Sequence, residues 1–120
     1  MSKQKIYLAC PYSDVDFSVM EHREKLASEA SALLLKAGFP TFSPITHGHN
    51  IPNSEEHRGV IFDMNLAVLQ VCDVFVVLCI SGWEESIGIK AEMVEAKKLK
   101  IPIVLVYNIN VFIDWMIKGY

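Results

Sequence analysis

The sequence predicts an α/β domain: a doubly wound, mostly parallel sheet of four or five strands in the order 2-1-3-4, covered by helices on both faces. Three observations predict the class, and the strand order is an assumption added to it. Short apolar runs alternate with longer segments of helical periodicity along the chain. The runs are almost continuously apolar, as strands buried on both faces are, where half-exposed strands would alternate. Finally, 52 % of the residues are hydrophobic and the mean hydropathy is +0.28, so most elements must be buried on two sides. With 120 residues the expectation is one domain spanning 1–120 around one core.

The elements follow in order. Lys5–Cys10 (KIYLAC) reads as a buried strand stopped by Pro11. Asp14–Ser18 offers helix caps, and Ser18 and Glu21 stand at capping-box spacing. Val19, Arg23, Leu26, Ala27, Ala30, Leu33, Leu34 and Ala37 then recur at helical spacing, all apolar but Arg23, and Gly38 is a stop signal. Phe39–Ser43 is a short strand closed by Pro44. Ile45–Arg58 is polar and irregular, carrying His47, His49, Pro52 and His57, and loops of this length are usually functional or mobile. Val60–Val71 is a helix apolar on most sides, interrupted by Asp63, Asn65 and Gln70. Asp73–Ile80 is a β-branched strand, Glu85–Lys100 a helix, Ile101–Tyr107 a strand and Val111–Lys118 a short final helix. Right-handed crossovers turn this order into a three-layer, flavodoxin- or Rossmann-like arrangement.

Charge and composition exclude several functions. The net charge is −3 and no basic cluster stands out, since Lys97, Lys98 and Lys100 suit a solvated helix face; nucleic acid is not an expected partner. No apolar run approaches the roughly 18 residues of a membrane span. The N-terminus runs straight into a strand without the apolar core of a signal peptide, so a cytoplasmic protein is expected. Cys10, Cys72 and Cys79 form no C-x-x-C pair and read as reduced, mostly buried thiols.

One segment breaks the pattern. In Ser81–Glu92 (SGWEESIGIKAE) a strand enters a glycine-bearing loop and then a helix. Helical spacing from Ile89 puts Ile89, Glu92, Met93, Ala96 and Leu99 on one stripe, with Lys90, Glu95, Lys97 and Lys98 opposite. Glu92 is thus an acid on an apolar face, to be paired, protonated or used. Gly88, Ile89, Glu95 and Ala96 are its neighbours at three and four residues, and none is a cation. Helical side chains lean toward the N-terminus, so the surface over Glu92 is the turn of Gly88, where a missing side chain leaves a notch. An acid at the stripe's edge, solvated or bonded to a strand, is the alternative. In the order 2-1-3-4 ligands bind at the carboxyl ends of the first and third strands, where the loops 10–16 and 81–88 meet. That is the same corner.

The motifs IYLACPYS, SPITHGH, NLAVLQVCDVFVVL and GWEESIGIKAEMVEA together resemble the nucleoside 2-deoxyribosyltransferase-like superfamily, and in particular a small branch with SPI-H-x-H and GWE-S-x-G-x-x-x-E patterns, related to 2′-deoxynucleoside 5′-monophosphate N-glycosidases. The resemblance implies a glutamate nucleophile that attacks the anomeric carbon while the base leaves, and its matching position is Glu92. It also implies sugar and 5′-end contacts from Ser86 and Gly88, with Ser86 equally suited to be an N-cap. The loop Cys10-Pro11-Tyr12-Ser13 is closer to the form found in nucleoside transferases than to the serine–arginine form of monophosphate hydrolases. Asn65 stands where the family usually has an aspartate that orients the sugar and handles protons. An amide can hydrogen-bond a hydroxyl but cannot act as acid or base near neutrality, so catalysis is slow, rewired through His47 or His49, or lost. Near the C-terminus, Asn108, Asn110 and Asp114 match a region inserted into a partner's site, and Asp114 would repel a phosphate.

Other readings stand beside these. His47 and His49, with His57 nearby, could share a metal, but no Cys or clear carboxylate completes a ligand set, and no metal or cofactor is expected. Both histidines could instead protonate a departing base, or be ordinary surface residues. Tyr12 and Trp83 could stack a nucleobase or simply pack, and Tyr7, inside a strand, reads as core. Cys10 lacks a loop cation to lower its pKa.

The expectation is therefore an enzyme that cleaves or transfers the N-glycosidic bond of a (deoxy)nucleoside or its monophosphate, with Glu92 and Asn65 catalytic. Cys10, Pro11, Tyr12, Ser13, His47, His49, Trp83, Ser86, Gly88 and Asn110 are the expected substrate contacts. The rival is a non-catalytic binding module for the same ligands. A homodimer or higher homo-oligomer is expected from the resemblance and from the apolar C-terminus (Val111, Phe112, Ile113, Trp115, Met116).

Overall fold

The computed structural model describes residues 3–51 and 55–119. Its elements are β1 (Ile6–Ala9), α1 (Phe17–Lys36), β2 (Thr41–Phe42), α2 (Pro44–Gly48), α3 (Glu55–Leu69), β3 (Val74–Leu78), α4 (Ile87–Lys98), β4 (Ile103–Val106) and α5 (Ile109–Lys118). The four strands form one all-parallel sheet, as the alternation of elements predicts, and their order β2-β1-β3-β4 is the one assumed from the sequence.

Strand alternation explains why the runs are apolar throughout. Ile6 and Leu8 of β1, with Val74, Val76 and Leu78 of β3, face Ala27, Ala30 and Leu34 of α1 and Phe112 of α5. The residues between them, Tyr7, Ala9, Phe75 and Val77, face Leu69 of α3 and Ile89 and Ala96 of α4. Each strand therefore feeds two cores. Every residue of β1 and β3 is buried. The consequence for function is that Tyr7 points toward α4, the helix that carries Glu92.

Three local expectations are corrected. The helix α1 is capped by Asp16, whose carboxylate accepts from Ser18 N–H at 2.9 Å and Ser18 O–H at 2.7 Å; Ser18 lies inside the first turn, and Glu21 is free of the capping box. The segment expected to be irregular over 45–58 contains the helix α2, started by Ser43 as N-cap and Pro44 at the first position, and the beginning of α3. Pro52, within that segment, lies outside the described residues. The final helix begins at Ile109 because Asn108 caps it, its side chain accepting from Asn110 N–H and Val111 N–H at 3.0 and 3.2 Å. The α1 stop occurs where expected: Gly38 sits at φ +95°, and Phe39 N–H returns to Leu34 C=O at 3.0 Å.

No helix among the described residues is long and apolar enough to cross a membrane. Leu34 is the α1 residue most central to the first core, with none of its surface exposed. Replacing it with Ala should cost about 2–5 kcal/mol, read as a lower urea midpoint with little change in slope.

Candidate active site at the β1–β3 switch point

The chain leaves β1 to build β2 on one side and returns to build β3 on the other, so the loops after β1 and β3 diverge at the carboxyl edge of the sheet. A cavity of about 800 Å³ opens there. Pockets of this size take drug-sized ligands. Its walls come from the loop after β1 (Cys10, Pro11, Tyr12, Ser13), from the end of α2 (Gly48, His49), from α3 (Arg58, Ile61, Phe62, Asn65) and from the start of α4 (Ser86, Gly88, Ile89, Glu92).

Glu92 is 8 % exposed, so its carboxyl opens on the cavity from a largely buried position. The Tyr7 hydroxyl donates a hydrogen bond to Glu92 Oε2. Burial pushes the Glu92 carboxyl up to about 7, against the Tyr7 hydrogen bond, which favours the charged form. Burial and the neighbouring Glu92 hold the Tyr7 phenol far above its usual range, so it acts as a donor. Among the described residues Glu92 thus has no cation partner and one neutral donor. The salt bridges among the described residues are formed by other groups.

The entrance over Glu92 is set by α4. Ser86 is its N-cap, the hydroxyl accepting from Ile89 N–H at 3.2 Å, and Ser86 also lines the cavity. A Cβ placed on Gly88 would approach nothing nearer than Ser86 Oγ at 3.9 Å, so glycine leaves open space there. Asn65 lies across the cavity on α3, with its buried side-chain oxygen lacking a hydrogen-bond partner among the described residues. An unmatched buried acceptor facing a cavity is suited to a donor brought by a ligand. Asp63, two residues earlier, is exposed.

Arg23 holds the two loops together. It is the polar member of the α1 stripe, and its guanidinium donates to Ser13 C=O at 3.0 Å, Tyr12 C=O at 3.4 Å and Ser81 C=O at 3.2 Å. Gly82 allows this approach: its φ is +94°, and a Cβ there would lie 2.2 Å from Arg23 Nη2. Cys10 lies beneath, its thiol pushed up to about 12 by burial despite Arg23, which makes it inert as a nucleophile. Tyr12 bonds His49, whose other ring nitrogen meets Glu21.

Of the residues the sequence singles out, Cys10, Pro11, Tyr12, Ser13, His49, Asn65, Ser86, Gly88 and Glu92 line this one cavity. Three do not. His47 is exposed and tilts against the Phe42 ring, with centroids 5.8 Å apart. Trp83 is partly buried and packs against the second apolar core. Asn110 is exposed on α5, which packs on the α1 side of the sheet. The sequence reading missed Tyr7, Arg23, Arg58 and Glu21. An arginine on the apolar stripe of α1 was the visible signal for Arg23; no signal marked the others. Among the described residues, no group of three or more His, Cys, Asp or Glu is arranged to hold a metal ion.

A family model described as "Domain of unknown function (DUF1937)" matches residues 4–108, almost the whole chain. No curated protein matches. Among solved structures, the 2-deoxyribosyltransferase of the psychrotolerant bacterium Bacillus psychrosaccharolyticus is similar, with a TM-score of 0.64 and 24 % identity over 89 % of this chain and 79 % of that one. At this identity the likeness is one of fold.

The buried carboxyl has a measurable signature. Its folded-state pKa lies above the ordinary 4.5, so the folded chain holds the proton more tightly than the unfolded chain. The stability due to that proton is complete below about pH 4.5 and is lost as pH rises to about 7, a change on the order of 3 kcal/mol. The Glu92→Gln variant, neutral at every pH, should melt several degrees above the parent at pH 8, with the difference vanishing below about pH 4.

Proposed function

The chain belongs to the DUF1937 family, and from that premise we propose that it is an enzyme that cleaves or transfers the N-glycosidic bond of a (deoxy)nucleoside or its monophosphate, with Glu92 as nucleophile. The observation that carries the reading is the Glu92 carboxyl, buried without a cation among the described residues and open on a cavity at the switch point. A structural acid would be neutralised by a cation or turned to water. This one is held by a single phenol and faces space that a ligand can fill. The fold shared with a 2-deoxyribosyltransferase supports the same substrate class.

In the reaction, a Glu92 carboxylate oxygen bonds to the anomeric carbon, and the carbon–nitrogen bond breaks with its electron pair going to the base. Water or a second base then attacks the same carbon and releases Glu92. The donated bond from Tyr7 fixes which carboxylate oxygen is free to attack, so Tyr7 is a positioning residue. Asn65 meets a sugar hydroxyl with its unmatched oxygen. Ser86, Gly88 and the Cys10–Ser13 loop surround the sugar and its 5′ end. Arg58, on the same wall, offers a cation to a 5′-phosphate, so both nucleosides and monophosphates belong in the assay. Exposed apolar side chains around β4 and α5 (Leu105, Tyr107, Val111, Trp115) fit association with a second copy of the chain.

One observation favours the rival, a module that binds the same ligands without turnover: Asn65 brings an amide where proton transfer would use an acid. Incubation with a panel of deoxynucleosides and their 5′-monophosphates, with free base measured, separates the two. Under the enzymatic reading base is released, kcat/KM rises with pH up to about 7 as Glu92 ionises, and Glu92→Gln removes at least about 10³-fold of the rate. Tyr7→Phe should move that rise to higher pH, because it removes the bond that favours the carboxylate. Thermal shifts by these ligands that survive Glu92→Gln, without base release by the parent, would establish the binding module instead.

A further inference from the structure

We propose that Tyr12, His49 and Glu21 form a proton relay on the wall of the Glu92 cavity, giving a proton to the departing base and later taking one from the attacking water or acceptor base. The inference rests on the glycosyl-transfer reading above. The Tyr12 hydroxyl is 2.7 Å from His49 Nδ1, and His49 Nε2 is 2.8 Å from Glu21 Oε1. Tyr12 and His49 line the cavity, while Glu21, on α1, stands behind them and is half exposed. The His49 side chain is only 9 % exposed, and its ring meets the Tyr12 ring edge-on with centroids 5.7 Å apart. Three separate parts of the chain thus hold a carboxylate, an imidazole and a phenol in line.

The carboxylate sets the tautomer. Glu21 accepts from Nε2–H, which leaves the lone pair of the neutral ring at Nδ1, where Tyr12 O–H donates. A second proton on the ring reverses the inner bond: Nδ1–H donates to the Tyr12 oxygen, and the Tyr12 proton turns to the cavity. Burial first, then Glu21 and Glu24 of α1, hold the phenol above its usual range, so its resting form carries the proton. Arg23, which also lines the cavity, is engaged by the backbone oxygens of Tyr12, Ser13 and Ser81.

The two relay states match the two halves of the reaction. In the first half, Glu92 bonds to the anomeric carbon and the carbon–nitrogen pair goes to the base nitrogen. That nitrogen takes the Tyr12 proton, and Tyr12 takes the Nδ1 proton of His49. The His49 ring is left neutral beside the Glu21 carboxylate. In the second half, water or the acceptor base gives its proton to the Tyr12 oxygen, whose own proton passes to His49 Nδ1. The new bond forms at the anomeric carbon, and Glu92 leaves as a carboxylate. The imidazolium facing Glu21 is restored. This supplies the proton transfer that Asn65 cannot.

The test compares base release from 2′-deoxyguanosine, 7-methyl-2′-deoxyguanosine and their 5′-monophosphates by the full chain. The 7-methylated base is already cationic and leaves as a neutral molecule, so it needs no proton. Tyr12→Phe and His49→Gln should each slow release from the unmethylated compounds at least about 100-fold, and from the methylated ones less than about threefold. Glu21→Gln, at a half-exposed position that tolerates substitution, should show the same selectivity at roughly tenfold. Glu92→Gln should abolish both. Equal losses on both substrate types, or no loss on either, would overturn the relay and leave Glu92 as nucleophile. No release of either type by the parent chain would overturn the glycosyl-transfer reading and the relay with it.

Discussion

Parallel pairing of β1 with β3, from Ile6 opposite Val74 to Ala9 opposite Val77, fixes which side chains meet each helical layer, and the candidate site follows from it. Because strand side chains alternate, a sheet covered on both faces must make each strand apolar throughout. Tyr7 meets that requirement with a ring and adds one hydroxyl. The ring stacks on Phe75 with centroids 5.4 Å apart, which directs the hydroxyl to Glu92 on α4. A slip by one residue would send Tyr7 to the α1 side and leave Glu92 without its donor. The same pairing places the loops after β1 and β3 side by side, so the position that holds the carboxyl also opens the cavity above it.

The electrostatics of the cavity depend on that restraint. A fully buried carboxyl without partners would be neutral and chemically idle, and one paired to arginine would be permanently charged and poorly nucleophilic. One phenolic hydrogen bond lies between these limits and leaves Glu92 near neutrality. Arg23 is kept from it by other work: its guanidinium donates to three carbonyls of the two loops, which ties the walls together without neutralising the acid. Gly82 at positive φ is the local condition for that brace. Asn65 and the Tyr12–His49–Glu21 line then divide what one carboxylic acid could do alone, an acceptor for the sugar on one wall and proton traffic on the other.

Part of the site was legible because helices write their faces into spacing. Glu92 breaks a stripe of apolar residues, and Gly88, one turn earlier, leaves the notch above it; both facts need only a 3.6-residue period. The Cys10–Ser13 loop followed from the topology, which places it at the switch point. His47 and His49 looked equivalent in sequence, two residues apart in one polar segment. They differ in the fold because α2 turns His49 toward Tyr12 and leaves His47 against Phe42 at the surface. Trp83 is aromatic enough to stack a base, but it lies partly buried against the second core, away from the cavity. Glu21 was read as half of a capping box, and only the cap at Asp16 shows that it is free for His49.

The sequence by itself determined the fold class and the anomalous acid, since both depend on local periodicity. The strand order agrees with the 2-1-3-4 assumed for it, but right-handed crossovers allow other orders, and the pairing of the strands decided it. Tertiary structure alone decided who touches Glu92 and who touches His49. Tyr7 lies 85 residues from Glu92 and Glu21 lies 28 from His49. No spacing encodes such contacts, because they come from the register of two strands and the seating of a short helix against a long one. An apolar pattern says which side of an element is buried. It does not say which buried neighbour carries the one hydroxyl or carboxylate that gives the site its chemistry.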